Sequence, residues 1–176
     1  MATRRFFMGL AVASIFVIGI WLLGFVSQAT AETLNFKTLN HVTKMEKIPI
    51  AGVEGHFISV MVREGVTVYE NGELAWVKNF FIRDLIKGAG MSDAYFTTTF
   101  LDGSSLTAHV KGTIGATPQG VTAGSKYIGE IIHGTGRFQG IKGTITTSSK
   151  VFPAEQGEPE GKALAEGTLV YTLSSK

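Results

Sequence analysis

Four glycines occur within ten residues at Gly134–Gly143 (GTGRFQGIKG), between two segments rich in β-branched residues. Glycine tolerates positive φ and lets backbones approach closely, so this density between strands predicts a tight corner in a closed or strongly bent sheet. A phosphate-binding loop is the alternative interpretation. The dinucleotide fingerprint would need glycine where Gln139 stands and a helix where Ile141 begins a strand-like run, so spacing and context oppose it.

The chain after Ala31 shows no sustained helical periodicity, and short β-branched and aromatic runs alternate with glycine-containing turns. Asn71–Gly72 and Asp102–Gly103 stand between apolar runs and predict two tight antiparallel hairpins. The stretch 153–161 holds two prolines and three glutamates and is predicted to be a solvated loop. The predicted strand segments are Leu34–Thr43, Gly55–Arg63, Val66–Glu70, Glu73–Arg83, Ala94–Leu101, Ser104–Ile114, Lys126–His133, Ile141–Phe152 and Ala163–Leu173. Because closure would remove exposed strand edges, we predict one all-β barrel domain spanning residues 32–176.

The charge balance excludes a nucleic-acid-binding function. Of the 16 Lys and Arg only Arg4 and Arg5 precede Ala31, and none of the 14 Asp and Glu does, so the remainder carries no net formal charge. It also lacks any cluster of basic residues, which is the electrostatic footprint of nucleic-acid binders. Cysteine is absent, which excludes disulfides, thiol catalysis and cysteinyl metal sites.

The N-terminal residues 1–31 have the pattern of a hydrophobic export segment. Arg4 and Arg5 form a charged start, Phe6–Val26 is uncharged and apolar, and Ala29–Ala31 has the small-x-small form of a cleavage site. We predict a cleaved signal peptide and a periplasmic or secreted domain. The apolar run of about 21 residues would span roughly 30 Å as a helix, so an uncleaved membrane anchor is the alternative. Thr3–Met8 resembles the twin-arginine signal pattern, which leaves the export route open.

Several of these segments resemble known β-barrel families. The run Leu106–Phe152, with the corner Gly-x-Gly-x-Phe-x-Gly at Gly134–Gly140, resembles the second half of allene oxide cyclase and dirigent barrels. The hairpins at Tyr69–Glu73 and Phe100–Ser104 look like those of small exported bacterial proteins of the same calycin-like type. The resemblance implies an eight-stranded antiparallel closed barrel, a homotrimer and a cavity at one end. It does not by itself carry an activity, because one barrel hosts unrelated functions.

The acidic residues of the two families are not all matched here. Allene oxide cyclases use an acidic residue of the first strand, but the first predicted strand has no carboxylate up to His41. Dirigent proteins use paired aspartates with arginine, and the nearest candidates are Arg83, Asp84 and Asp93 beside a predicted loop at Leu85–Ser92.

Two glutamates are the candidate catalytic residues. Glu130 lies between Ile128 and Ile132 on one face of its predicted strand. If that face points inward, burial raises the pKa of the carboxyl group and Glu130 becomes a candidate acid or base. If it points outward, Glu130 is solvated. Glu54 is the second candidate.

Aromatic residues are the candidate ligand-binding residues. Trp76, Phe80, Tyr95 and Tyr127 are predicted to line an apolar pocket, with His109 in its wall. We expect no cofactor and no metal, because the four histidines are not spaced as a local metal motif. An eight-stranded barrel is just wide enough to be filled by side chains or to hold one small ligand.

Three functions remain open on the sequence. The first is an exported barrel that binds a small apolar or amphiphilic molecule without converting it. The second is an isomerase similar to allene oxide cyclase, in which the pocket folds the substrate and a carboxylate assists. The third is a structural or interaction protein of the envelope, with a filled interior.

Overall fold

Eight antiparallel strands close into a barrel in the computed structural model, which describes residues 30–173. The strands are β1 (Glu32–Pro49), β2 (His56–Tyr69), β3 (Leu74–Ile86), β4 (Ala89–Phe100), β5 (Ser105–Ala116), β6 (Thr122–Thr135), β7 (Lys142–Val151) and β8 (Ala163–Thr172). Each strand pairs with its sequence neighbours, and β8 pairs with β1 to complete the closure. The predicted all-β barrel is therefore confirmed. Except for Thr30 and Ala31, the predicted export segment lies outside the described residues; within them, no helix is long and apolar enough to cross a membrane.

The nine predicted strand segments become eight because two of them join. Gly55–Arg63 and Val66–Glu70 both belong to β2, and Gly65 between them pairs with Asn40 of β1. A Cβ at Gly65 would collide with the carbonyl oxygen of Leu39, so the close approach of β1 requires glycine here. β2 therefore runs without interruption through Gly65, which lay between the two predicted segments.

Three tight turns connect neighbouring strands, of which two were predicted. Asn71–Gly72 joins β2 to β3 and Asp102–Gly103 joins β4 to β5, with φ of 84° and 81° at their glycines. The predicted loop at Leu85–Ser92 is wrong: it is a third hairpin turn at Lys87 and Gly88, with φ of 48° and 79°. Two successive positive φ values suit the twist of a hairpin, but lysine rarely adopts them, so no turn signal was visible.

The glycine-rich segment forms the corner between β6 and β7, as expected. A single 3-10 turn spans Gly136–Phe138, and Gly136 and Gly140 have φ of 59° and 79°. The turn places the Phe138 ring inside the barrel, 4.8 Å from the ring of Phe100. The corner thus helps to close one end of the barrel.

Aromatic side chains fill that end, which we call the aromatic end. The ring centroids of Tyr69 and Phe100 are 5.3 Å apart, and those of Phe138 and Tyr171 are 6.3 Å apart. The Arg137 guanidinium lies 4.7 Å from the Phe100 ring centroid, in cation-π range. These contacts pack this end of the barrel with aromatic rings.

Candidate functional site

A cavity of about 70 Å³ lies inside the barrel, and all eight strands contribute to its wall. Apolar side chains such as Met61, Phe81 and Leu169 line it together with polar residues such as Thr38 and Thr67. The hydroxyl groups of these two threonines are 2.6 Å apart and hydrogen-bonded across β1 and β2. The interior is therefore mixed in polarity rather than a purely apolar core.

Two arginines and one glutamate form a buried cluster in this wall. Arg63 of β2 and Arg83 of β3 point inward, and both bind the carboxylate of Glu160. Arg63 Nη2 is 3.0 Å from Glu160 Oε1, and Arg83 Nη1 is 2.9 Å from Glu160 Oε2. The side chains are 4%, 2% and 9% exposed, respectively. A single carboxylate thus bridges two buried guanidinium groups.

Further hydrogen bonds fix the two arginines in place. Arg63 donates to Asn40 Oδ1 at 3.2 Å and to the backbone carbonyl of Gly161 at 3.1 Å. Arg83 donates through Nε to Ser59 Oγ at 3.0 Å. Burial lowers the pKa of Arg63, and the neighbouring Glu160 carboxylate opposes that shift. The neighbouring strands therefore hold both guanidinium groups at fixed positions in the wall.

The loop of residues 152–162 carries Glu160 into the barrel at the end opposite the aromatic end, which we call the loop end. The backbone of Phe152 donates to the carbonyl oxygen of Lys162 at 2.8 Å, which closes the base of the loop. Lys162 Nζ lies 2.6 Å from Glu155 and 3.3 Å from Glu158 on the outer side. The predicted solvated loop is thus correct for Glu155 and wrong for Glu160. Nothing local in the sequence separates these glutamates, because the partners of Glu160 are distant along the chain.

Tyr127 and Asn79 add polar atoms to the cavity wall. Burial raises the pKa of the Tyr127 phenol, and its ring packs 5.4 Å from Phe96 and 5.8 Å from Phe81. Asn79 lies opposite Arg63 in the sheet and is 7% exposed, and its Oδ1 has no hydrogen-bond partner. A buried amide oxygen without a donor is unfavourable.

Of the five predicted ligand-binding residues, Tyr127 lines the cavity. Trp76, Phe80 and Tyr95 are exposed on the outer face of the barrel. His109 also lies on the outer face, stacked on Tyr95 with ring centroids 4.8 Å apart and 2.6 Å from Asp93. The structure therefore does not bring these five residues together.

The predicted catalytic glutamates lie away from the cavity. Glu130 is exposed on the outer face, on the same side of β6 as the exposed Ile128 and Ile132. Glu54 lies in the turn between β1 and β2, where its side chain is 92% exposed and 3.8 Å from Lys87 Nζ. Among the described residues that line the cavity, the acidic one is Glu160.

The arginine and aspartates suggested by the dirigent resemblance are also separated. Arg83 points inward, whereas Asp84 points outward and binds His56 at 2.7 Å. Asp93 is on the outer face with His109. Both arginines share an inward face with apolar residues, such as Met61 on β2 and Phe81 on β3. An arginine on an apolar strand face is the sequence signal that could have identified the cluster.

Two solved structures have the same fold. The pterocarpan synthase dirigent protein PsPTS1 matches with a TM-score of 0.52 and 15% identity, over 85% of this chain and 99% of that one. The pterocarpan synthase dirigent protein GePTS1 matches with a TM-score of 0.50 and 16% identity, over 86% of this chain and 95% of that one. The fold is that of a dirigent-like barrel. No protein-family profile and no curated protein matches the chain.

The dirigent-like barrel confirms the resemblance at the level of fold. At these identities the likeness carries no activity, because function resides in the site and not in the fold. The specific resemblance to allene oxide cyclase and to exported bacterial proteins therefore stays a prediction.

We expect Tyr69 to make the stability of this dirigent-like barrel fall at alkaline pH. Burial raises the pKa of the Tyr69 phenol from 10.0 to about 12. The folded protein therefore keeps this proton where the unfolded chain has lost it. The contribution is complete below pH 10, is lost as pH rises toward 12 and amounts to about 2–3 kcal/mol. Urea unfolding at several pH values should show a shallower alkaline decline for Tyr69→Phe than for the wild type; equal declines would contradict this assignment.

Proposed function

We propose that the protein binds a small amphiphilic molecule inside its barrel. The observation that carries the proposal is the internal cavity, whose wall combines aromatic rings with buried polar and charged groups. Ligand sites typically pair apolar walls with a few placed polar groups that fix orientation. A filled interior would have favoured an envelope interaction protein instead.

The size of the cavity limits the ligand. Sites for drug-sized molecules measure about 300–1,000 Å³, whereas this cavity has about 70 Å³. A ligand of only a few heavy atoms fits the closed form, and a longer one would need side chains or the loop of residues 152–162 to move. That loop is the one part of the wall that is not a strand among the described residues.

An isomerase activity similar to that of allene oxide cyclase is the second candidate. The observation that favours it is the Glu160 carboxylate in the cavity wall beside the Tyr127 phenol, since both groups can take part in proton transfer. Glu160 would then replace Glu130 and Glu54 as the assisting carboxylate. Binding without conversion stays the first proposal because it requires only the cavity.

The location and assembly proposed are those of an exported homotrimer. The pattern of residues 1–31 supports export to the periplasm or the medium, with membrane anchoring if the segment is retained.

An outer apolar face on β2, β3 and β4 supports assembly, since monomers rarely expose large apolar patches. We define this face by five exposed residues: Val66, Trp76, Phe80, Ile82 and Tyr95. Trp76 lies opposite Val66, and Phe80 opposite Tyr95, so the apolar residues are neighbours across the strands. The ion pair of Lys78 with Glu64 stands between these two pairs.

Native mass spectrometry of the full chain, produced with its own export segment, tests ligand binding. We expect a bound small molecule that organic extraction releases. Thr147→Phe places a ring in the cavity and should reduce occupancy at least about tenfold, because the ring competes with the ligand for the same space. Thr146→Phe is the matched control, since Thr146 is the exposed neighbour of Thr147 on β7.

The outcomes separate the candidate functions. A released compound that is lost in Thr147→Phe and retained in Thr146→Phe supports binding in the cavity. A compound that the purified protein converts into an isomer on re-addition favours the isomerase. Ligand-free spectra from every preparation would oppose both and favour the interaction protein.

A further inference from the structure

We propose that Arg63 and Arg83 bind the singly charged anionic head group, such as a carboxylate, of the molecule that the barrel holds. This inference rests on the proposed function and names the chemical class of its ligand. It follows from the charges, the donors and the unsatisfied acceptor in the cavity wall.

The buried cluster has one positive charge more than it has negative charge. Arg63 and Arg83 carry two positive charges and Glu160 carries one negative charge. Tyr69 and Tyr127 are the other ionisable groups of the wall, and burial keeps both phenols neutral by raising their pKa values. A buried guanidinium without a counter-charge is costly. A monoanion bound in the cavity would make the cluster neutral.

The nearby lysine does not change this balance. Lys162 pairs with Glu155 and Glu158 on the outer side of the loop. That group has one positive and two negative charges and is in contact with solvent, outside the cavity. The excess positive charge therefore belongs to the two inward arginines.

The remaining donor capacity lies on Arg83. An arginine has five N–H donors in a planar fork that suits a carboxylate. Arg63 uses both terminal nitrogens to bind Glu160, Asn40 and Gly161. Arg83 binds Ser59 through Nε and Glu160 through Nη1. We therefore assign Arg83 Nη2 as the main donor to the ligand.

Asn79 provides an independent indication of a polar ligand. Its Oδ1 is buried in the cavity wall without a donor, and Asn79 lies opposite Arg63 in the sheet. The anionic head group itself only accepts hydrogen bonds, so a hydroxyl or N–H group elsewhere on the ligand would satisfy this acceptor. The aromatic rings of Phe81, Phe96 and Tyr127 pack together in the same wall and suit an unsaturated or aromatic body.

Benzoate and benzamide are suitable probes because they have nearly the same size and differ in charge. Isothermal titration calorimetry of the full-length protein should show benzoate binding at least about tenfold more tightly than benzamide, as expected when a hydrogen bond involves an ionised group. Arg83→Gln should bring this ratio close to one. Arg137→Gln is the matched control, because Arg137 is likewise paired with a glutamate, Glu73, but lies at the aromatic end. It should keep the wild-type ratio.

A second variant keeps the test valid if Arg83→Gln does not fold. Glu160→Gln removes the carboxylate that competes for the arginines, so benzoate should bind more tightly than in the wild type and benzamide should not. Equal binding of benzoate and benzamide by the wild type would overturn the anion site while leaving ligand binding in the cavity intact. If neither probe binds, acetate and acetamide, which are small enough for the closed cavity, replace them. Equal binding or no binding of this smaller pair would overturn the anion site, whereas the proposed function is judged separately by the ligand recovered in native mass spectra.

Discussion

Replacing Glu160 by glutamine should lower the free energy of unfolding by about 3–5 kcal/mol, because it leaves two buried guanidinium groups without their carboxylate. The Arg63 and Arg83 side chains are only 4% and 2% exposed, so bulk solvent does not hydrate their charges as it would at the surface. Glutamine keeps the shape and one carbonyl acceptor, so the expected loss comes from charge and not from packing. Urea unfolding at neutral pH measures the change.

Glu155→Gln is the matched control on the same loop. Glu155 pairs with Lys162, but its side chain is 74% exposed, and exposed ion pairs contribute about 0–1 kcal/mol. The two substitutions change the same functional group at nearby positions and differ in burial. Equal losses for both variants would contradict a buried charge cluster at Glu160. If Glu160→Gln loses about the expected free energy of unfolding and Glu155→Gln does not, the stabilising charge lies inside the barrel.

Excess benzoate connects this prediction to the proposed anion site. A ligand that binds only the folded state raises the free energy of unfolding in proportion to the logarithm of its concentration over its dissociation constant. Benzoate should therefore restore part of the stability of Glu160→Gln, and benzamide should not. This result would show that benzoate binds at the two arginines whose charge Glu160 normally compensates.

The hairpins and the barrel were predictable because their signals are local. In the turns at Asn71–Gly72 and Asp102–Gly103 the glycines have positive φ, and each turn determines one strand pair without any distant contact. The third turn has positive φ at Lys87 as well as at Gly88, and because lysine is not typical of such a position this hairpin was missed. A turn was therefore predictable from the sequence where its residue types favour a turn, and it was missed where they do not.

The direction of the strand faces was not predictable, because apolar residues occupy both sides of the barrel. On β3 the outward residues include Leu74, Trp76 and Phe80, whereas Asn79 and Arg83 point inward. A rule that buries apolar residues assigns this strand the opposite way, and it led to the choice of Trp76 and Phe80 as pocket residues. A shift of one residue in the assumed register moves every side chain of a strand to the opposite face of the sheet.

The buried cluster was not predictable for a different reason. Glu160 binds Arg63 and Arg83, which lie 97 and 77 residues away in the sequence. Glu155, Glu158 and Glu160 share one loop composition, so nothing local indicates which of them turns inward. Only the closed arrangement of β2, β3 and the loop brings the three charged groups together.

The outer apolar face should hold the protein in its proposed trimer, and a charge placed there should convert it to a monomer. Phe80→Glu puts a carboxylate at the centre of this face, opposite Tyr95. Desolvating an unpaired carboxylate costs several kcal/mol, and a symmetric trimer would contain three such groups. Phe80 is 37% exposed on the outer side, so the barrel itself should lose much less stability than the assembly.

Native mass spectrometry and light scattering would compare Phe80→Glu with Ile128→Glu. Ile128 is also apolar and is 65% exposed, but it lies on β6, away from the outer apolar face. We expect a trimer for the wild type and for Ile128→Glu, and a folded monomer for Phe80→Glu. Loss of the trimer in Ile128→Glu alone would place the interface on β6. A monomeric wild type would show instead that the apolar residues on β2, β3 and β4 are covered by something other than a second copy of the chain.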